Sequence, residues 1–462
     1  MERRDRERLR DERRRHGRRW LSALGLACLL ILPGCGAPEP ENVIVVLVDT
    51  VRTQNLGVYG YERDNTPRLA ALAREGFLFE DLRSQAPCTY PSANSILTGR
   101  DGTHFWVQEG RRIGIPEGIP SLAEILGERG WSTAAVSASP IVRKSPSEHN
   151  PHGGFDRGFE IFDEKCLWNR ASCVNDRALE HLESLPEPFL LYLHYMDPHD
   201  PYRPPSHRFS SPGFQGEPFV ERGDPNPIAE GLYGEDGDAD PPVSPSGLEH
   251  LTRLYDDEIA YFDERLGNLI DELSSRGLLE RSILAVISDH GEEFLEHGHI
   301  KHCHTLYDTE IHTPMILRIP GARNPRRVSA LAQNLDLVPT VLDYLGVETG
   351  LPLDGRSLRP LIESGTPVHD RVFSAYGDLR AVHAGDYKLL MNLRTEEVEL
   401  YEMSSDPGET TDVAGRHPAK VRELQRALSR WIREVEGVSD REEALRRGEE
   451  AVQRLRALGY VE

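Results

Sequence analysis

The sequence predicts an α/β fold: a large, mostly parallel sheet flanked by helices, with a smaller antiparallel sheet and terminal helices at the C-terminal end. Three observations lead there. Apolar runs at 43–48, 189–195 and 282–288 lack the polar alternation of a half-exposed strand, as expected of strands buried on both faces of a parallel sheet. Segments with leucines at helical spacing lie between these runs. From about residue 347 the texture changes to short alternating strands divided by turn residues.

The elements follow in order. Residues 1–19 hold ten arginines against five acids, and "WLSALGLACLLIL" comes next. Those thirteen uncharged residues fall short of the roughly 20 that a spanning helix needs. A basic start, a short apolar stretch and a small-residue exit describe an export signal. "LPGC" resembles a bacterial lipobox, with Cys35 as the lipidated residue, so residues 1–35 are expected to direct export and membrane anchoring, facing the periplasm or cell exterior. A strand then ends at Asp49. A helix opens at "NTP" with Pro67 and stops at Gly76. "SLAEILGERG" and "WSTAAVSAS" repeat helix then strand. Leu254, Ile259, Phe262, Leu266, Leu269 and Leu273 mark one face of a long helix before the strand at 282–288. Residues 203–248, dense in Pro, Gly, Ser and Asp, read as an insertion. The catalytic domain is expected over 36–346, and a subdomain with a helical tail over 347–462.

Charge narrows the partners. The chain carries a formal net charge of −22, and its first 34 residues contribute +5 of the opposite sign, leaving the remainder at −27. With no basic stripe, nucleic acid is excluded as a partner. Such a protein also repels anionic substrates unless a bound cation corrects the field locally. Of six cysteines, Cys166 and Cys173 are spaced for a small-loop disulfide in an exported protein. No CxxC pair points to structural zinc.

Chemistry-bearing residues gather at predicted strand ends, where open parallel sheets form their sites. Asp49 closes the first strand, and Asp289-His290 follows another. Two acids and an imidazole suit a divalent cation. "LEHGHIKHCHTLYDTEIH" adds His297, His299, His302, His304 and His312, and "LHYMDPHDP" adds His194 and His199. "CTYPSANSILTGR" places Thr89 in a turn ahead of a helix opening at Pro91-Ser92. A hydroxyl there would face the positive end of the helix dipole, and a metal could activate it.

Seven pieces in one order carry a resemblance. They are "NVIVVLVDTVRTQNLGVYGYERDNTPRLAALAREG", "TYPSANSILTGR", "HYMDPHDPY", "YDDEIAYFDERLGNLIDEL", "VISDHGEEFLEHG", "HTLYDTEIHTPMILRIPG" and "LRALGYVE". Together the chain resembles the sulfatase family of the alkaline phosphatase superfamily from about residue 42 onward. Typical sulfatases begin the nucleophile segment C/S-x-P-x-R. Counting back from Thr98-Gly99, the nucleophile position falls on Thr89, and Ala93 replaces the arginine. Cys88 lies one residue early and is expected to be only a packed neighbour, so no formylglycine is expected. The family's second acid is Thr50 here, and its asparagine is His290. The resemblance implies Asp49, Thr89, Asp289 and His290 as ligands of one divalent metal ion, zinc or manganese favoured, with calcium or magnesium open. It implies Thr89 as nucleophile, His199 as acid for the leaving group and His302 at the transferring group's oxygens, with His297, Lys301 and His304 around them. The expected function is hydrolysis of a sulfate or phosphate ester of a small molecule, glycan or lipid. The alternatives are a phosphoethanolamine-type transferase, since relatives with threonine act on phosphorus, and a non-catalytic lipoprotein that binds anionic glycans.

Overall fold

Strand β1 (Asn42–Val48) explains the architecture by itself. Val43, Val45 and Leu47 enter one hydrophobic core while Ile44, Val46 and Val48 enter another on the opposite face. A strand buried on both sides must sit mid-sheet between two helical layers. The computed structural model describes residues 40–105, 114–147, 150, 153–168, 170–214 and 244–435. Cys35 and its lipobox, residues 215–243 of the insertion and the tail beyond 435 lie outside them. Among the described residues no helix is long and apolar enough to cross a membrane.

The main sheet also contains β2 (Phe77–Phe79), β3 (Ser132–Ser137), β4 (Ile161–Asp163), β5 (Phe189–Tyr195), β6 (Ser282–Ser288), β7 (Met315–Arg318) and β8 (Arg326–Val328). Its order is β8-β2-β7-β6-β1-β5-β3-β4. Only β7 runs against its neighbours, so the expected mostly parallel sheet is what forms. Register matters most for function. Val48 pairs with Tyr195 of β5 on one side and with Ser288 of β6 on the other. The carboxyl ends of three central strands therefore finish level, and the residues after them share one crevice.

Helices cover both faces: α1 (Pro67–Glu75), α2 (Thr89–Thr98), α3 (Leu122–Gly127), α4 (Ala171–Leu182) and α5 (Pro245–Ser275). The start of α1 shows tertiary structure overriding local signals. Asn65 and Thr66 look like caps, yet their side chains accept from the amides of Gly57 and Val58. The first-turn amides of Arg68 and Leu69 donate instead to Asp263 of α5, at 2.8 and 2.7 Å, which serves as the cap from a distance. Two expectations are corrected here. Helix α2 begins at Thr89 itself, with extended Cys88 as its N-cap, so Thr89 is not in a preceding turn. Cys88 is bonded to Cys303, 215 residues away, so it is more than a packed neighbour. Cys166 and Cys173 form the small-loop disulfide.

Strands β9 (Val372–Tyr376), β10 (Leu379–Ala384), β11 (Tyr387–Asn392) and β12 (Val398–Glu402) make a separate antiparallel sheet. Helix α6 (Pro418–Glu434) covers it through Leu424, Leu428 and Trp431. A buried ion network ties this sheet to the main domain. Lys388 of β11 reaches Asp308 at 2.9 Å and also pairs with Glu409, while Arg83 holds the other Asp308 oxygen at 2.7 Å. Removing one member leaves uncompensated charge in a dry place. Replacing Lys388→Met is therefore expected to cost about 3–5 kcal/mol in urea unfolding. A loss below about 1 kcal/mol, the scale of exposed pairs, would show that the network does not hold the two parts together.

Candidate active site

Asp49 follows β1 and Asp289-His290 follows β6. All three are almost fully buried, as are Thr50 and Thr89. Their backbone is tightly held. The Asp289 Oδ1 atom accepts from the amides of His290 at 3.0 Å and Thr50 at 3.4 Å, so the two strand ends grip each other. Thr50 takes a left-handed φ of 58° to turn the chain. Gly291 lets the loop pass under a neighbouring backbone, because a Cβ there would lie 2.1 Å from the Thr309 carbonyl. Helix α2 is anchored to the same point. Ser92 donates to the Asp289 carbonyl at 2.6 Å, and Asn334 donates to Ser92 at 2.8 Å. This docking brings Thr89 Oγ1 within 3.1 Å of His290 Nε2.

Proton positions follow from the hydrogen bonds. The His290 Nδ1–H donates to the Gly291 carbonyl at 2.9 Å, leaving the Nε2 lone pair turned inward. That atom accepts from Thr89 and lies 3.6 Å from both Asp49 Oδ1 and Asp289 Oδ2. Both of those carboxylate oxygens are buried without a hydrogen-bond partner. Asp49, His194 and Asp289 also bring ligand-type atoms within 4.8 Å of one another. The hydrogen bonds, however, give His194 a different task. Its Nδ1 accepts from the Tyr192 hydroxyl at 2.9 Å, and its Nε2–H donates to Asp49 Oδ2 at 3.1 Å. It thus orients Asp49 and frees Oδ1 to face inward, as partners of metal ligands commonly do. Asp49, Asp289, His290 and Thr89 can together hold a hard divalent cation.

The electrostatics agree. Burial, and then the charge of Asp49, pushes the Asp289 carboxyl up to about 7. Burial also acts on Asp49, but the His194 hydrogen bond and the His199 and His290 imidazoles outweigh it and hold that carboxyl low. Two carboxylates this close cannot both ionise comfortably without a cation.

Two more histidines stand near Thr89 and His290. His302 stacks near His290, ring centroids 4.4 Å apart, and its Nδ1–H donates to Glu292 at 2.8 Å. Tyr202 donates to the other Glu292 oxygen at 2.8 Å. Burial and the His199 charge push His302 down to about 3. His199 lies 5.1 Å from His302 by ring centroid. Its Nδ1–H donates to the Asp200 carbonyl at 2.6 Å, and Nε2 is the atom left to carry a second proton. Burial disfavours that charge, yet the Asp200, Asp49 and Glu292 carboxylates overcome it and raise the His199 pKa. Lys301 pairs with Asp200 at 3.3 Å, behind His199.

His297 and His304 are held elsewhere. His297 stacks on Tyr307 at 3.6 Å, and His304 stacks on His299 at 5.0 Å. Sequence reasoning placed His194 among the strand-end histidines without a specific role, and missed Tyr192, Glu292 and Tyr202, of which only the second acid of "DHGEE" could have drawn notice.

Comparison with known proteins follows the same lines. The family model described as Sulfatase matches residues 41–347, and one described as N-sulphoglucosamine sulphohydrolase, C-terminal, matches residues 296–437. An N-acetylglucosamine-6-O-sulfatase of Bacteroides thetaiotaomicron is 24% identical, over 86% of this chain and 88% of its own. Human arylsulfatase A is 24% identical, over 87% and 88%. A solved structure in complex with its substrate D-glucosamine-2-N,6-O-disulfate superposes with a TM-score of 0.70 at 20% identity, covering 87% of this chain and all of the other. The phosphonate monoester hydrolase of Agrobacterium radiobacter gives a TM-score of 0.70 at 19% identity, covering 84% and 95%.

The raised Asp289 pKa has a consequence for stability. A carboxyl whose folded pKa exceeds its unfolded value of about 4 binds its proton more tightly when folded. Its contribution is full below that unfolded value and is lost as pH rises through about 7. Chelator-stripped protein should therefore melt at a lower temperature at pH 8 than at pH 5.5, and an added divalent cation should recover most of the difference. A stripped protein whose melting temperature holds or rises over that interval would contradict the carboxylate pairing.

Proposed function

The chain belongs to the sulfatase family, and on that premise we propose that it is a metal-dependent hydrolase of sulfate or phosphorus esters in which Thr89 is the nucleophile. The observation that carries this reading is the convergence of Thr89 Oγ1 and His290 Nε2, 3.1 Å apart, beside two buried carboxylate oxygens without partners. Asp49, Asp289, His290 and Thr89 would hold the cation, manganese or zinc fitting the mixed oxygen and nitrogen set. When bound, it would neutralise the ester's charge and favour the alkoxide form of threonine.

Each residue then has a part. The α2 N-terminus points its amides at the oxygens of the transferring group. Thr89, its hydroxyl proton released to solvent on forming the alkoxide, bonds through oxygen to sulfur or phosphorus as the bond to the leaving oxygen breaks, and His199 gives its Nε2 proton to that oxygen. Water, giving one proton back to His199, then attacks the same centre and releases Thr89 as its alkoxide. A formylglycine hydrate could expel sulfate by elimination, but a threonine ester has no such exit. This limitation favours phosphorus esters, whose threonine adducts water can displace. His302, fixed by Glu292, faces the group's oxygens, and its Nε2 must carry a proton to donate to them. Lys301 supports His199 through Asp200, while His297 and His304 stand farther out. Lipidation at Cys35 would hold the enzyme on the outer side of a membrane, residues 36–346 carrying the site.

Nitrophenyl sulfate, nitrophenyl phosphate and a phosphodiester tested side by side measure the reaction class. Thr89→Ala should lower kcat by at least about 1,000-fold on whichever ester is cleaved, while Thr89→Ser retains measurable turnover. Equal rates for Thr89→Ala and the parent protein would overturn the assignment.

A further inference from the structure

A row of rings leads from solvent to the nucleophile. Trp168 meets His199 edge-on at 5.5 Å, His199 meets His302 at 5.1 Å, and His302 meets His290 at 4.4 Å. Exposure falls along the row, from 45% at Trp168 through 13% and 12% for the His199 and His302 side chains to none at His290. Trp168 thus stands at the outer end, directly beyond the histidine that serves the leaving group. Any part of a substrate touching the indole belongs to the departing alcohol, not to the transferred group.

A single exposed aromatic is common and usually means nothing. Trp168 differs in how it is held. Its φ is 56°, a left-handed conformation that a bulky aromatic residue adopts only where its surroundings enforce it. Its amide donates to the Ala138 carbonyl at 2.9 Å, just past β3. The Cys166–Cys173 disulfide closes the loop that carries it. The backbone that carries the indole is held in place, and the ring rests edge-on against His199.

We propose that Trp168 is the stacking platform for a sugar ring whose hydroxyl carries the ester; this rests on the hydrolase reading above. The flat C–H face of a pyranose fits an indole, and its hydroxyls suit the Asp200–Lys301 pair behind His199. A lipid chain would need contiguous apolar surface. Leu351 is the only other large hydrophobic exposed among the described residues.

The test compares esters that differ only in the alcohol: N-acetylglucosamine 6-sulfate and glucose 6-phosphate against n-butyl sulfate and n-butyl phosphate, with a nitrophenyl ester as the aryl case. Trp168→Ala should lower kcat/KM on the ring ester by about tenfold and change the acyclic ester less than about twofold, with Trp168→Phe restoring most of the loss. Equal losses on ring and acyclic esters, or none on the ring ester, would overturn the platform. A loss confined to the nitrophenyl ester would overturn the sugar assignment in favour of an aryl group. If the parent protein cleaves none of these and no phosphodiester either, the hydrolase reading fails by itself. Saturation-transfer NMR of the Thr89→Ala protein with glucose 6-phosphate and N-acetylglucosamine 6-sulfate then decides the platform. Sugar C–H signals that vanish on adding Trp168→Ala support it, and their absence from the start overturns it.

Discussion

Two carboxylate oxygens, Asp49 Oδ1 and Asp289 Oδ2, are buried at the head of the sheet with no hydrogen bond to either. Burying an unpaired charge is among the most expensive things a fold can do. The surroundings do not relieve it, because the remaining oxygens of both residues are already engaged by His194, Thr50 and His290. The neighbours instead aim these two atoms, and one imidazole lone pair, at a common point. Such an arrangement can hold a cation.

The fold delivers that arrangement through register. Because β5, β1 and β6 end level, His194, Asp49 and Asp289 arrive together without long loops. Helix α2 is then docked by Ser92 and Asn334 onto the Asp289 carbonyl itself, so the hydroxyl of Thr89 is placed relative to the backbone that carries Asp289 and His290. The Cys88–Cys303 bridge joins the residue before Thr89 to the residue after His302, fastening the two sides of the site. Rigid strands and a buried helix supply the precision that loops alone would lack.

Much of this was legible in the sequence, for reasons that show where such reading stops. Strands buried on both faces are apolar throughout, so 189–195 and 282–288 were found to the residue. The position of Thr89 was marked by aligning its segment with the sulfatase pattern through Pro91 and Thr98-Gly99, and the fold sets its hydroxyl beside His290. What escaped is whatever depends on partners distant in the chain. Cys88 found Cys303 across 215 residues, and Asp263 capped a helix nearly 200 residues upstream. The Tyr192–His194–Asp49 chain was hidden because alternate residues of a buried strand look like core until the facing strand is known. The histidine-rich segment was read as one cluster, yet folding sends His302 inward and His297 onto Tyr307.

The central claim is that these groups converge on a metal ion, and anomalous diffraction from manganese-loaded crystals tests it most directly. The account predicts one strong peak within inner-sphere distance, about 2 Å, of Asp49 Oδ1, Asp289 Oδ2 and His290 Nε2, with Thr89 Oγ1 beside it. A fully loaded crystal whose only peak lies elsewhere, or bridges His194 while Thr89 points away, would contradict it.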